Sequence, residues 1–139
     1  MRLIPADHET KMRIVVTAEM TAQFEEMGEV HPVYATYWLT RHMELAGRRL
    51  ILPFLEEGEE AIGYEVTVRH LASALPGMWI EFTTQYVRTE KNRIYVQCQA
   101  SSQLQEIIGI GQTTQVVLPR EKLQAKFATL IQRWKPLQM

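Results

Sequence analysis

Residues 36–52 carry the pattern that most constrains this chain. At about 100° per residue, Leu39, Met43, Ala46 and Leu50 fall in one apolar stripe, with Thr36, Glu44 and Gly47 on its flank. Such a stripe needs a sheet to lie on, so the spacing predicts a helix that Pro53 stops. Trp38, Leu45 and Leu52, seven apart, form a second apolar seam on nearly the opposite side. A lone helix on a monomer surface has no use for it, and it hints at oligomerisation.

The sheet comes from the residues that follow. From Ala61 to His70, strict alternation assigns Ile62, Tyr64, Val66, Val68 and His70 to one face and Gly63, Glu65, Thr67 and Arg69 to the other. Leu75-Pro76-Gly77 reads as a turn. Strands are then expected at 78–89, 92–101 and 104–118, with Glu90-Lys91-Asn92 as a tight connection, and hairpin-linked strands imply an antiparallel sheet. Ahead of the helix, the β-branched run Arg13–Glu19 predicts a first strand, Met20–Met27 is either a short helix or an ordered loop, and Val30–Ala35 is an extended lead-in. Pro119 opens a last helix with Leu123, Phe127, Leu130, Ile131 and Trp134 on one stripe. The element order argues for an α+β fold, one long helix laid on an antiparallel sheet. Its expected organisation is a polar lead-in over 1–12, a domain over 13–118, and a C-terminal helix and tail over 119–139 of the same domain.

Composition narrows the function classes. A chain of 139 residues, 46% hydrophobic and 22% charged, has the size of one ordinary domain. A formal net charge of -1 with no basic run offers no electrostatic footprint for nucleic acid. No apolar run reaches the length of a signal peptide core or a bilayer span, so a cytoplasmic protein without membrane partners is expected. The single Cys98 makes no internal disulfide and supports no metal framework, and no cofactor or metal is expected.

Four residues stand out for chemistry. Glu44 flanks an apolar helix face, where partial desolvation would suit it to general-base work; the alternative is a boundary glutamate reaching solvent. His70 ends a strand face of apolar residues, and a helix packed there could bring Glu44 within reach of the imidazole; the alternative is a core-edge histidine satisfied by a backbone carbonyl. Thr36 lies eight residues before Glu44, about 12 Å along a continuous helix, too far for contact. In the turn before the helix, its hydroxyl and the first free N–H groups would face the same cleft, or it is a plain N-cap. Gly63 is either a bulge or a place where a ligand meets the backbone. His42 and Glu44 project about 200° apart and cannot grip a metal together.

The positions of Ala35-Thr36, Met43-Glu44, Pro53, Glu57-Gly58-Glu59, Ile62-Gly63, Val68-Arg69-His70 and Pro76-Gly77 resemble the fluoroacetyl-CoA thioesterase-like branch of the hot-dog-fold thioesterases, over about residues 14 to 127. The resemblance implies a long helix wrapped by an antiparallel sheet, a homodimer with active sites at the subunit interface, and hydrolysis of an acyl-CoA thioester. By position it assigns Thr36, Glu44 and His70 to the family's catalytic threonine, glutamate and histidine, and Gly63 to the glycine that helps bind the thioester. Where fluoroacetyl-specific members place lid aromatics, this chain has Met27 and Val30, with Phe24 further back. That departure points to a small or medium acyl-CoA. The expected activity is therefore acyl-CoA hydrolysis, with Glu44 as base or nucleophile, Thr36 assisting and His70 positioning or protonating. The second reading is a non-catalytic acyl-CoA or small-ligand binding protein on the same fold. The expected assembly is a homodimer, with Trp38, Leu45 and Leu52 as the route to a higher oligomer.

Overall fold

The computed structural model describes residues 1–138; Met139, the end of the expected tail, lies outside the described residues. Seven strands and two α-helices run in the order β1 Glu9–Val15, β2 Thr21–Phe24, β3 Gly28–Tyr34, α1 Thr36–Ile51, β4 Glu59–His70, β5 Trp79–Glu90, β6 Arg93–Ser102, β7 Ile107–Pro119 and α2 Arg120–Trp134. Five strands form one antiparallel sheet in the order β1-β5-β6-β7-β4, and β2 and β3 form a separate hairpin. Among the described residues, no helix is long and apolar enough to cross a membrane.

The predicted stripe builds the core. Leu39, Met43, Ala46 and Leu50 are fully buried, packed with sheet residues that include Ile80, Phe82, Ile94, Val96 and Ile108. Two β7 glycines set how close α1 lies. A Cβ on Gly109 would meet Leu39, and one on Gly111 would collide with the Met43 sulfur and the Thr67 carbonyl. Gly47 returns the fit from the helix side, against Thr113. The helix therefore runs along β7 and the edge strand β4, where both expected strand residues of the site reside.

The simple alternation expected for β4 does not hold. Its pairing with β7 shifts between Gly63 and Glu65, so Tyr64 is bulged out of register. Ala61 and Gly63 before the bulge then share the helix-facing side with Val66, Val68 and His70 after it, opposite Val117, Gln115, Thr113, Gly111 and Gly109 of β7. Gly63 and His70, expected on opposite faces, are on the same one.

Other boundaries also differ from expectation. β1 begins at Glu9 because Thr10, Lys11 and Met12 pair with Thr84, Thr83 and Phe82. The lead-in before it is anchored, with Ile4 buried and the terminal amine held by Glu56 and Glu59. The 20–27 stretch is neither helix nor plain loop: a short 3-10 turn at Ala18–Met20 leads into β2, and Gly28, at φ 67, begins β3. The β5–β6 connection is as tight as predicted, with Lys91 at φ 57. Of the stripe on α2, only Leu123 is buried; Phe127, Leu130, Ile131 and Trp134 are exposed.

Candidate active site

The flank of α1 that faces β4 is polar. Thr36, Glu44 and Arg48 all point toward the strand, and each finds a different part of it. Arg48 donates to the Ala61 carbonyl at 2.5 Å and to Glu60 at 3.1 Å, tying helix to strand two residues before Gly63. Arg48 beside Glu60 also holds that carboxyl below its usual range.

Thr36 is the first residue of α1, and extended Ala35 takes the cap position. Its hydroxyl does not cap the helix; it pairs with His70 Nδ1 at 2.8 Å. The free N–H groups of the first turn thus stand beside a threonine–histidine pair. A cleft of about 330 Å³ opens there, lined by Thr36, His70, Tyr34, Ala72 and, from the β2–β3 hairpin, Ala22 and His31.

Burial pushes the His70 imidazole below its ordinary pKa, against a smaller upward pull from the Ala72 backbone carbonyl. The ring is therefore neutral near pH 7 and able to accept a proton. Its Nε2 is buried without a hydrogen-bond partner. The Tyr34 ring stands edge-on to it at 6.3 Å.

Glu44 occupies the other end of the flank. Its Oε1 lies 2.6 Å from where a Cβ of Gly63 would stand, so the missing side chain is what gives the carboxylate its place. The expected desolvation of Glu44 is not found within one chain, since the side chain is exposed at the sheet edge. Nor does packing bring Glu44 to the imidazole, because Thr36, at the helix start, is the residue that reaches His70. The four predicted residues are thus assembled as two pairs, Thr36 with His70 and Glu44 with Gly63, separated along α1 by about 12 Å.

Two further buried groups escaped the sequence reading. His42, weighed in the sequence only as a metal ligand, is buried on the sheet-facing side of α1, accepting the Tyr34 hydroxyl at Nδ1 at 2.5 Å, and is pushed to lower pKa by burial and by Arg41. Its sequence signal was its place between Leu39 and Met43 on the apolar side. Gln115, only 1% exposed, lies in register with Gly63 on the helix-facing side. A groove of about 580 Å³ lies on the opposite sheet face among Thr67, Arg69, Gln85, Gln97 and Gln112, and none of the four predicted residues lines it. Among the described residues, no cluster of metal-ligating side chains occurs.

The comparisons agree with one another. The sequence profile of the fluoroacetyl-CoA-specific thioesterase family matches residues 16–121. A fluoroacetyl-CoA thioesterase of Streptantibioticus cattleyicolor is 33% identical over 101 residues, which is 73% of this chain and 72% of that protein. A Thermus thermophilus hypothetical protein of the thioesterase superfamily superposes with a TM-score of 0.95 at 55% identity, covering 98% of this chain and 99% of that one. A threonine-to-serine variant of the fluoroacetyl-CoA thioesterase FlK, solved in complex with acetyl-CoA, superposes with a TM-score of 0.82 at 26% identity, covering 91% of this chain and 98% of that one. With the wrapped helix, the antiparallel five-stranded sheet and the matched profile in agreement, this chain belongs to the fluoroacetyl-CoA-specific thioesterase family and is a thioesterase of the hot-dog fold.

Proposed function

We propose that this chain hydrolyses a small or medium acyl-CoA thioester to the free acid and CoA, with Thr36, Glu44 and His70 catalytic and Gly63 binding the thioester. The observation that carries the reading is the Thr36–His70 hydrogen bond at the open N-terminus of α1. A neutral imidazole accepting from the hydroxyl leaves the threonine oxygen and the first-turn N–H groups turned to the cleft, where charge develops on a thioester oxygen during attack. Glu44 takes a proton from the attacking water as the water oxygen bonds to the thioester carbon; the C–S bond then breaks, and Glu44 returns that proton to the departing sulfur, releasing the acid and the CoA thiol with the carboxylate regenerated. Gly63 lets the acyl carbonyl approach the backbone beside that carboxylate. The acetyl-CoA complex of the FlK variant is consistent with a CoA substrate. Release of free CoA from a panel of acyl-CoAs of increasing chain length tests the reading, and no release from any of them contradicts it.

The same reading makes the working unit a homodimer. β4 is an edge strand of twelve residues, and it carries both Gly63 and His70. Antiparallel pairing of two β4 edges about a twofold near Val66 and Thr67 would set the Glu44–Gly63 pair of one protomer against the Thr36–His70 pair of its partner. That arrangement closes the separation of about 12 Å within one protomer and covers Glu44 from solvent. Leu45 and Leu52, 44% and 41% exposed, keep the helix seam available for further assembly.

A further inference from the structure

Gln115 is an anomaly in this core. It is 1% exposed in the middle of β7, and its Oε1 has no hydrogen-bond partner. Two residues away on the same sheet face, the buried Thr113 Oγ1 has none either. A buried acceptor left unpaired costs about 1–3 kcal/mol, and an aliphatic residue there would avoid the cost. A polar side chain retained at such a place calls for a use.

Its neighbours supply one. In the β4–β7 register Gln115 is the partner of Gly63, and paired residues on one sheet face root their side chains about 4.5–5.5 Å apart. Gly63 has no side chain, and the space it leaves is where the Glu44 carboxylate rests. Gln115 and Glu44 therefore meet the sheet at the same rung, one as the register partner of Gly63 and the other over the space Gly63 leaves. Gln115 Oε1 and Thr113 Oγ1 are both free to bond a water, and an ordered water needs two to four such polar partners.

We propose that Gln115 is a positioning residue for Glu44: its buried amide, through a bridging water, holds the carboxylate over Gly63 instead of letting it turn out to solvent. The inference rests on the proposed role of Glu44. It extends the site one strand inward, to a residue that touches neither acyl group nor CoA.

Gln115→Met tests it, as a side chain of similar length with no donor and only a weak sulfur acceptor. The expected result is a kcat lower by about tenfold with KM little changed. Thermal stability is expected to hold or rise. A merely structural Gln115 would change stability and leave kcat where it is. Wild-type kcat in folded Gln115→Met, with Glu44→Ala inactive, would overturn the inference and leave the thioesterase reading intact. Full activity in Glu44→Ala would overturn that reading and the inference with it. Gln115→Leu serves as the second apolar variant; loss of folding in both would show the amide to be a partner of the core and would also overturn the proposal.

Discussion

Thr36 Oγ1 lies 2.8 Å from His70 Nδ1, so one hydrogen bond joins the first residue of α1 to the last residue of β4. Thr36→Val keeps the shape and removes the hydroxyl. Because Thr36 is exposed, the fold should lose no more than about 0.5 kcal/mol. Turnover should fall by about 10²-fold or more, as expected when a group serving proton transfer is lost. Steady-state kinetics beside a denaturant melt check both halves, and an unchanged kcat would remove Thr36 from the site.

The buried His42 and the half-buried His70 give stability a pH dependence of known sign. Burial lowers the pKa of His70, and burial with the Arg41 charge lowers that of His42. The fold thus favours neutral rings, and the unfolded chain binds more protons once pH drops below the ordinary value of about 6.5. Their contribution is fully present above that value and is lost as pH falls through the lowered folded values. Denaturant midpoints should therefore decrease from pH 7.5 to pH 5. In His42→Leu the Tyr34 hydroxyl loses its partner, costing about 1–3 kcal/mol at pH 7.5, while the dependence on pH becomes shallower.

Two glycines on the helix-facing side of the sheet should respond oppositely to alanine. At Gly63 the new Cβ meets only the far end of Glu44, which can swing aside. Gly63→Ala should therefore fold within about 1 kcal/mol of wild type and lose activity. At Gly111 the Cβ meets the Thr67 backbone carbonyl and the Met43 sulfur beneath α1, and neither has room to move. Gly111→Ala should cost about 1–3 kcal/mol. Melts and CoA-release rates for the pair separate a binding glycine from a packing one.

The contrast between those positions shows what the sequence disclosed. The helix from Thr36, its stripe of Leu39, Met43, Ala46 and Leu50, and the hairpin-linked strands were legible because burial on one face imposes a period. The bulge at Tyr64 was not, since a slip of one residue changes the partner strand and leaves the chain's own alternation looking regular. It moved Gly63 to the face of His70, where the helix lies. The 20–27 stretch misled because Met20, Phe24 and Met27 have helical spacing, yet the 3-10 turn and β2 place Phe24 and Met27 in the open. Thr36 and His70 were legible as candidates, but their mutual bond depends on how α1 crosses the sheet. Gln115 carried no signal of its own, because a glutamine in a strand reads as outward-facing until the register places it opposite Gly63.

If two β4 edges build the working site, defects in the two pairs should complement. Thr36→Ala and Glu44→Ala homodimers are each expected to be inactive. Unfolded together and refolded as a mixture, they form heterodimers in which one site draws its threonine and its glutamate from the two intact positions. Activity should then reappear, and light scattering should report dimer mass. A mixture as inactive as its parts, with dimers formed, would place each complete site within one protomer.

The most direct measurement is the rate of CoA release by the wild type, Glu44→Ala and His70→Ala on the acyl-CoA that the wild type turns over best, with folding of each variant verified by its melt. Both variants are predicted to lose about 10²- to 10⁴-fold in kcat/KM, the range expected for a lost general acid or base. Wild-type rates in both would contradict the assignment of the Thr36–His70 and Glu44–Gly63 pairs as the thioester site.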